Sequence, residues 1–316
     1  MPFVTKKLYS PIKQMALSLL MEELALSRSE SQRLIARGRL SQNGVVMDDQ
    51  FGWVEGECEF ICFEPLSRGF KPMFVTNDFA VYDKPSGLSV HPHSRLSPYT
   101  LNDEIKHQFG DDANATHRID QETSGLVLVS RHKKSESVLK KLFSERAISK
   151  RYLAMVKGHV DEIIDIQAPL FRIDHPNLLI SMVVKVDPKG KPAHTIIKPL
   201  RYFSEHDMTL VEASPLTGRT HQIRVHLFHV EHPIIGDPVY GPEKEDVIRF
   251  IKKELSPIER MRIGGSTRLL LHAHSVEFEY ENKVYKIKSE KNFVKECFEA
   301  MGITPHLEYN VDALPL

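Results

Sequence analysis

Apolar residues along this chain switch repeatedly between helical and two-residue spacing, and the switches outline its elements. Met15, Leu19, Leu20 and Leu24 predict a helix over 14–26. Ser27 with Glu30 three positions on has the form of a capping box, opening a second helix with Leu34 and Ile35 that closes at Gly38. Asn43-Gly44 between short apolar runs predicts a hairpin, and alternation over 56–63 a half-buried strand. Phe74-Val75 and 79–82 read as strands, with Lys84 at the end of the second beside the turn at Pro85-Ser86-Gly87. Residues 101–109 read as a short amphipathic helix.

A polar loop, 117–125, then leads into the apolar run 126–129, a buried strand, with Ser124-Gly125 marking a tight turn between them. A helix is expected over 133–146, with Val138, Leu142 and Phe143 on its apolar side. Over 149–158, alternation places Tyr152, Ala154 and Val156 on the inward face of a strand and Lys150 at its start. Two more strands, 191–197 and 208–213, flank an acidic turn at 205–207. From Thr220 onward Ile223, Leu227 and Val230 form one helix face, with Arg224 on its flank. Residues 234–238 read as a strand end and turn, and 241–263, around Val247, Phe250, Ile251 and Leu255, as a peripheral helix. A buried-looking run, 269–274, precedes an alternating strand at 276–280; a last helix ends near Gly302.

Length admits one large domain, or a large and a small one: 316 residues with the apolar and charged fractions of a soluble globular protein. No apolar run reaches membrane-spanning length, and Met1 to Lys13 lacks the apolar core of a secretory signal. Three cysteines without a Cys-x-x-Cys pair predict neither a disulfide framework nor a zinc site, and point to a reducing cytoplasm. The 42 basic and 42 acidic side chains cancel, which counts against a general nucleic-acid glue. They are unevenly placed, however: Arg28, Arg33 and Arg37 share the second helix and Arg39 follows it. A solvated helix face is the plainer account of such a run.

Asp120 is the chemically loaded position. It lies on a loop held by a core strand, with Arg118 and His117 within three residues, and nearby positive charge keeps a partly desolvated carboxylate ionised. Such a group suits attack on carbon, or stabilisation of a cationic sugar, better than general acid work. A surface Asp in an ordinary turn is the bland alternative. Lys84 alone suggests a salt bridge, and His91-Pro92-His93 lacks the partners of a metal site. Tyr152 among small apolar neighbours fits a core position and equally a platform on which an extruded base stacks. Arg224 with His221, Gln222 and His226 forms a polar cluster beside an apolar helix face.

Two resemblances bring these residues together. The pattern from Ser27 to Glu57 resembles the S4 domain, a small α/β RNA-binding module, although Lys13-Gln14-Met15 stands where Arg-Leu-Asp is usual. His117-Arg118-Ile119-Asp120 with Thr123-Ser124-Gly125, Lys150-x-Tyr152-x-Ala154, and Gly218 to His226 occur in order, between Lys84-Pro85 and Leu271-His272-Ala273. Together they resemble the RluA-type family of pseudouridine synthases over roughly residues 70–280. The resemblance implies an α+β fold with a mixed, mainly antiparallel sheet bent around a cleft and flanked by helices. It also implies isomerisation of uridine to pseudouridine in RNA without cofactor or metal.

By that resemblance Asp120 is the catalytic carboxylate, Tyr152 stacks on the base and Arg224 pairs with Asp120. His117, Arg118, Thr123, Lys150, Arg219, His221 and Gln222 would bind substrate, and Arg28, Arg33, Arg37 and Arg39 would bind RNA phosphates. The implied plan is an N-terminal arm (1–11), an S4-like domain (12–65), a linker (66–72), a catalytic domain (73–302) and a C-terminal tail (303–316). Large-subunit ribosomal RNA is the expected substrate and a cytoplasmic monomer the expected state, with no membrane partner. Three rivals stand beside this reading: an inactive RNA-binding protein, a synthase acting on transfer RNA, and a nucleosidase that would need Glu122 as its second carboxylate.

Overall fold

A computed structural model describes residues 2–49, 51–92, 94, 97–173 and 183–304. His93 and residues 305–316 of the expected tail lie outside these. The chain forms two compact units, Met1–Gly69 with His91–His107, and Phe70–Val90 with Gln108–Leu316. The segment 91–107 thus joins the N-terminal unit, although its place in the sequence is inside the expected catalytic domain.

The first unit contains β1 (Phe3–Met15), α1 (Ala16–Leu24), α2 (Arg28–Ala36), β2 (Leu40–Gln42), β3 (Val45–Met47) and β4 (Trp53–Phe63). Its sheet has the order β1-β4-β2-β3 and is antiparallel throughout. Leu8, Leu19, Leu20, Ile35, Leu40 and Phe60 fill the core. The capping box at Ser27 forms as expected, and Asn43 and Gly44 turn the β2–β3 hairpin with φ of 51° and 76°. Residues expected as an arm, and the start of the first expected helix at Gln14 and Met15, are instead strand β1. Only Leu8 and Ser10 of β1 are buried, and the register shifts between Ser10 and Gln14, around Pro11. An edge strand with a proline at its bulge carries little of the alternation by which strands are recognised. The expected linker is also tied down: Leu66 N–H donates to Asp103 at 3.3 Å and Arg68 N–H to Glu104 at 2.6 Å, in the first turn of α3 (Leu101–Phe109).

The second unit is built on a ten-stranded sheet. Its strands are β5 (Phe74–Val75), β6 (Phe79–Lys84), β7 (Asn114–Ala115), β8 (Ser124–Ser130), β9 (Ser149–Lys157), β10 (Ile164–Ile166), β13 (Thr195–Phe203), β14 (Met208–Pro215), β15 (Leu271–Tyr280) and β16 (Lys283–Lys288). A separate pair, β11 (Leu170–Arg172) and β12 (Val184–Val186), lies between β10 and β13 in sequence. The helices are α4 (Lys133–Ser144), α5 (Gln222–His229), α6 (Lys244–Ile251), α7 (Pro257–Gly264) and α8 (Phe293–Ala300). The main order is β10-β13-β14-β9-β15-β8-β6-β5, antiparallel except where β15 meets β8. The architecture is α+β with a mixed, mainly antiparallel sheet.

Several expectations change here. Ser124 and Gly125 open strand β8 rather than making a turn. Gly125 adopts φ 107° because the chain of β15 passes so close that a Cβ would lie 2.3 Å from the Ala273 carbonyl oxygen. In α4, Leu139 takes the buried position, while Val138 is 38% exposed. The strand expected from 191 begins at Thr195 and continues to Phe203. Helix α5 has no single apolar face: Gln222 through Leu227 are all buried, so the polar residues among them are interior groups. The 241–263 segment is two helices, split by a second capping box at Ser256 and Glu259.

Candidate active site

Five parts of the second unit meet at a cavity of about 880 Å³: the loop before β8, the end of α4 with the turn that follows it, the start of β9, the segment from β14 into α5, and the start of β15. His117, Arg118, Asp120, Thr123, Lys150, Tyr152, Arg219, His221, Gln222 and Arg224 all line it. Every catalytic and substrate-binding candidate read from the sequence is therefore in one place. Arg118, Arg146, Lys150, Arg219 and Arg224 are its cationic lining residues and Asp120 its one carboxylate among the described residues, a balance suited to a polyanion.

The Asp120 loop is held from behind. Lys84, fully buried at the end of β6, donates from Nζ to the carbonyls of Pro85 (2.9 Å) and Gln121 (3.1 Å). Burial pushes this ammonium down to about 7, opposed by Glu122 and Asp120. Gly87 N–H also donates to the Gln121 carbonyl, Ser86 Oγ to the Glu122 carbonyl at 2.6 Å, and Thr123 N–H to the Asp120 carbonyl. Lys84 thus acts on the backbone of the loop rather than on substrate.

Arg224 reaches Asp120 from the first turn of α5, with Nη1 3.1 Å from Oδ2. Its Nε and Nη2 donate to the two oxygens of Asp237 at 2.7 and 2.8 Å, and its guanidinium lies over the Tyr240 ring at 5.1 Å. Burial disfavours the Arg224 charge, but Asp237 and Asp120 outweigh it and move its pKa upward. Asp237 and Tyr240 were missed in sequence. The signal available was an acid one glycine beyond the apolar pair Ile234-Ile235, a poor place for a charge without a partner.

His221 lies with Nε2 3.7 Å from Asp120 Oδ2, while its Nδ1 is 2.9 Å from the Tyr240 hydroxyl. That hydroxyl accepts the Val184 N–H at 3.1 Å, so its own proton is available for Nδ1, leaving the proton of a neutral imidazole on Nε2, toward Asp120. Burial and Arg224 push His221 down to about 4. For Asp120, burial alone would raise the carboxyl; His221, Arg224 and Arg118 outweigh it and hold it below the usual carboxylate range. With His221 neutral near pH 7, the Arg224 guanidinium, with a smaller part from Arg118, sustains the Asp120 charge there. The Tyr152 phenol is raised well above its ordinary range by burial and by Asp120, so it remains protonated and offers an aromatic face and a donor, not a base.

Two candidates are engaged with the protein itself. Gln222 spends its amide on four contacts: Oε1 accepts from Thr217 Oγ1 and Arg219 N–H, and Nε2 donates to the His194 carbonyl and Thr195 Oγ1. It shapes the loop ahead of α5 and has no capacity left for substrate. His117 accepts the Leu128 N–H on Nε2 at 2.9 Å, packs against the Phe143 ring and is pushed down to about 3 by burial and Lys150. Glu122, the second carboxylate a nucleosidase would require, is paired at 2.6 Å with Arg260 and does not line the cavity. In the first unit, Arg28, Arg33 and Arg37 are exposed, while Arg39 is half-buried with its guanidinium 4.4 Å from the Phe3 ring centre.

A family model described as RNA pseudouridylate synthase matches residues 78–229, which include this cavity's main residues. An uncharacterized RNA pseudouridine synthase of Helicobacter pylori (strain J99) is 37% identical over 292 residues, 92% of this chain and 96% of its own length. The ribosomal large subunit pseudouridine synthase C of Buchnera aphidicola is 35% identical over 211 residues, 65% of this chain and 61% of that one. The tRNA pseudouridine(31) synthase of Saccharomyces cerevisiae is 36% identical over 204 residues, 60% of this chain and 50% of that one.

Proposed function

We propose that this chain, which belongs to the RNA pseudouridine synthase family and is an RNA-modifying isomerase, acts on uridine in large-subunit ribosomal RNA with Asp120 as its catalytic carboxylate. The observation that carries the assignment is the Asp120–Arg224 contact at 3.1 Å inside a cavity lined by cations. In this reaction the C1′–N1 bond breaks, the uracil turns, C5 joins C1′, the C5 proton leaves and N1 is protonated. Asp120 takes or stabilises C1′ while the base is detached, as a carboxylate does in retaining glycoside chemistry. Tyr152 supplies a flat apolar face on which the uracil turns without escaping. The uridine enters flipped out of its stack, and Arg118, Arg219 and Lys150 contact the surrounding phosphates.

The N-terminal unit acts as an S4-like RNA-binding module in this reading. Its support is the capped helix α2 with Arg28, Arg33 and Arg37 exposed beside an antiparallel hairpin sheet. The ribosomal target is favoured by this module together with the Buchnera relative; the yeast relative favours transfer RNA as the second reading. The enzyme works as a monomer in the cytoplasm, in keeping with three free cysteines. The test is pseudouridine mapping in large-subunit ribosomal RNA and transfer RNA from cells with and without the protein, followed by restoration with wild type and with Asp120→Asn. A site lost on deletion and restored only by the wild type is expected. Unchanged pseudouridine in both RNA classes removes the proposal.

A further inference from the structure

We propose, resting on that reading of the site, that Arg260 is a positioning residue for Asp120 and that helix α7 is the strut through which residues 241–265 set the geometry of the pocket. By burial alone this segment is peripheral: neither α6 nor α7 contains a buried residue, and Ile258 is 66% exposed. Arg260 departs from that pattern. Its side chain is 18% exposed, its guanidinium lies over the Phe250 ring at 5.1 Å, and Nη2 donates to Glu122 Oε2 at 2.6 Å. Glu122, 13% exposed, is two residues beyond Asp120.

The loop is therefore gripped from two sides. Lys84, Ser86 and Gly87 hold the carbonyls of Gln121 and Glu122, and Arg260 holds the Glu122 side chain. One turn after Arg260, the Gly264 carbonyl accepts the Gly236 N–H at 2.9 Å, immediately before Asp237, which secures Arg224. A single helix thus braces both ends of the chain Asp120–Arg224–Asp237. Its own start is fixed by the Ser256–Glu259 capping box and by the Arg249–Glu259 pair. A partly exposed ion pair adds little to stability. Its value lies in register, since a displacement of about 1 Å at a reacting group can cost on the order of 100-fold in rate.

The test compares Arg260→Met, Arg260→Lys and the exchanged pair Glu122→Arg with Arg260→Glu in the full chain, on an RNA that the wild type modifies and Asp120→Asn does not. For Arg260→Met, kcat should fall about 30- to 100-fold with KM for RNA within twofold. The acid limb of its rate profile should move to higher pH, because a shifted loop loosens the carboxylate's contact with Arg224. The charged and titratable groups facing Asp120 are Arg118 on its own loop, His221 at the N-cap of α5, Arg224 on α5, Lys84 on β6, Tyr152 on β9 and Tyr240, and all are unchanged in these variants. Arg260→Lys should recover most of the loss and the exchanged pair part of it. A lower Tm with wild-type kcat and wild-type acid limb would assign the pair to packing and overturn the inference alone. If the wild type makes no pseudouridine, the reading of the site falls and this inference falls with it.

Discussion

Asp237 holds Arg224 through both carboxylate oxygens, leaving Nη1 of the guanidinium directed at Asp120. Asp237 is itself oriented, its Oδ1 also accepting the N–H groups of Val239 and Tyr240 at 2.9 and 3.0 Å. The side chains of Arg224 and Asp237 are 4% and 1% exposed, so breaking the pair strands a buried charge. Asp237→Asn should lower the unfolding free energy by about 3 kcal/mol in urea titrations, and kcat with it. A variant as stable as wild type would show that the guanidinium relies on Asp120 alone.

Removing the carboxylate should stop chemistry without removing RNA. Asp120→Asn keeps the size of the side chain and one acceptor for Arg224, so the cavity is preserved while the group aimed at C1′ is lost. Pseudouridine formation should drop on the order of 10⁴-fold or more, the scale seen when an essential group is deleted. Filter-binding affinity for the same RNA should stay within a few-fold. Equal rates for the two proteins would exclude Asp120 from the reaction.

The pH profile follows from the same pair. The folded carboxyl of Asp120 is held below its ordinary value, so its own titration should leave the rate unchanged from pH 8 through 6 and lower it only when pH passes below the usual carboxylate range. Without the guanidinium, burial is opposed less and raises the carboxyl. Arg224→Met should therefore move the acid limb upward as well as slow the reaction. Single-turnover rates across pH 4 to 8 distinguish this from a simple loss of RNA binding.

Two histidines should make stability pH-dependent. His117 and His221 are held down to about 3 and about 4, so between the unfolded value near 6.5 and those folded values the unfolded chain binds protons that the native chain refuses. Their contribution is fully present above about 6.5 and is lost as pH falls toward 4. The urea midpoint should decline over that window. Replacing His221 with Gln should flatten part of the decline; an undiminished slope would mean other groups govern it.

The four N-terminal arginines should separate into two behaviours. Arg28, Arg33 and Arg37 are exposed, and replacing all three with Ala should weaken RNA binding and lower the slope of log K against log salt by about 2 to 3, with Tm unchanged. Arg39 lies against the Phe3 ring, and Arg39→Ala should cost stability. An unaltered salt slope for the triple variant would remove RNA contact from helix α2.

Sequence carried this structure furthest where local chemistry decides conformation. The Ser27 capping box, the Asn43-Gly44 hairpin and helix 101–109 stand as the pattern predicts, and Asp120, Tyr152 and Arg224 converge as the family resemblance implies. Where tertiary contact decides, the pattern misled. β1 is an edge strand with three lysines, and its conformation comes from pairing with β4. Helix α5 is buried on every side from Gln222 to Leu227, so the spacing of Ile223, Leu227 and Val230 suggests a single apolar face that the structure does not have. Asp237 has meaning only through Arg224, 13 residues earlier, and Gly125 only through Ala273, far along the chain.

Gly125 also shows what a search for reactive groups overlooks. A methyl group at this position would act as a wedge where two strands run side by side, spreading the Asp120 loop from Leu271 across the mouth of the cavity. The residue cannot be titrated, labelled or oxidised, so its contribution would be invisible to any probe of functional groups. Only a change of shape reveals it: one of the site's tight tolerances is set by an atom that is not there.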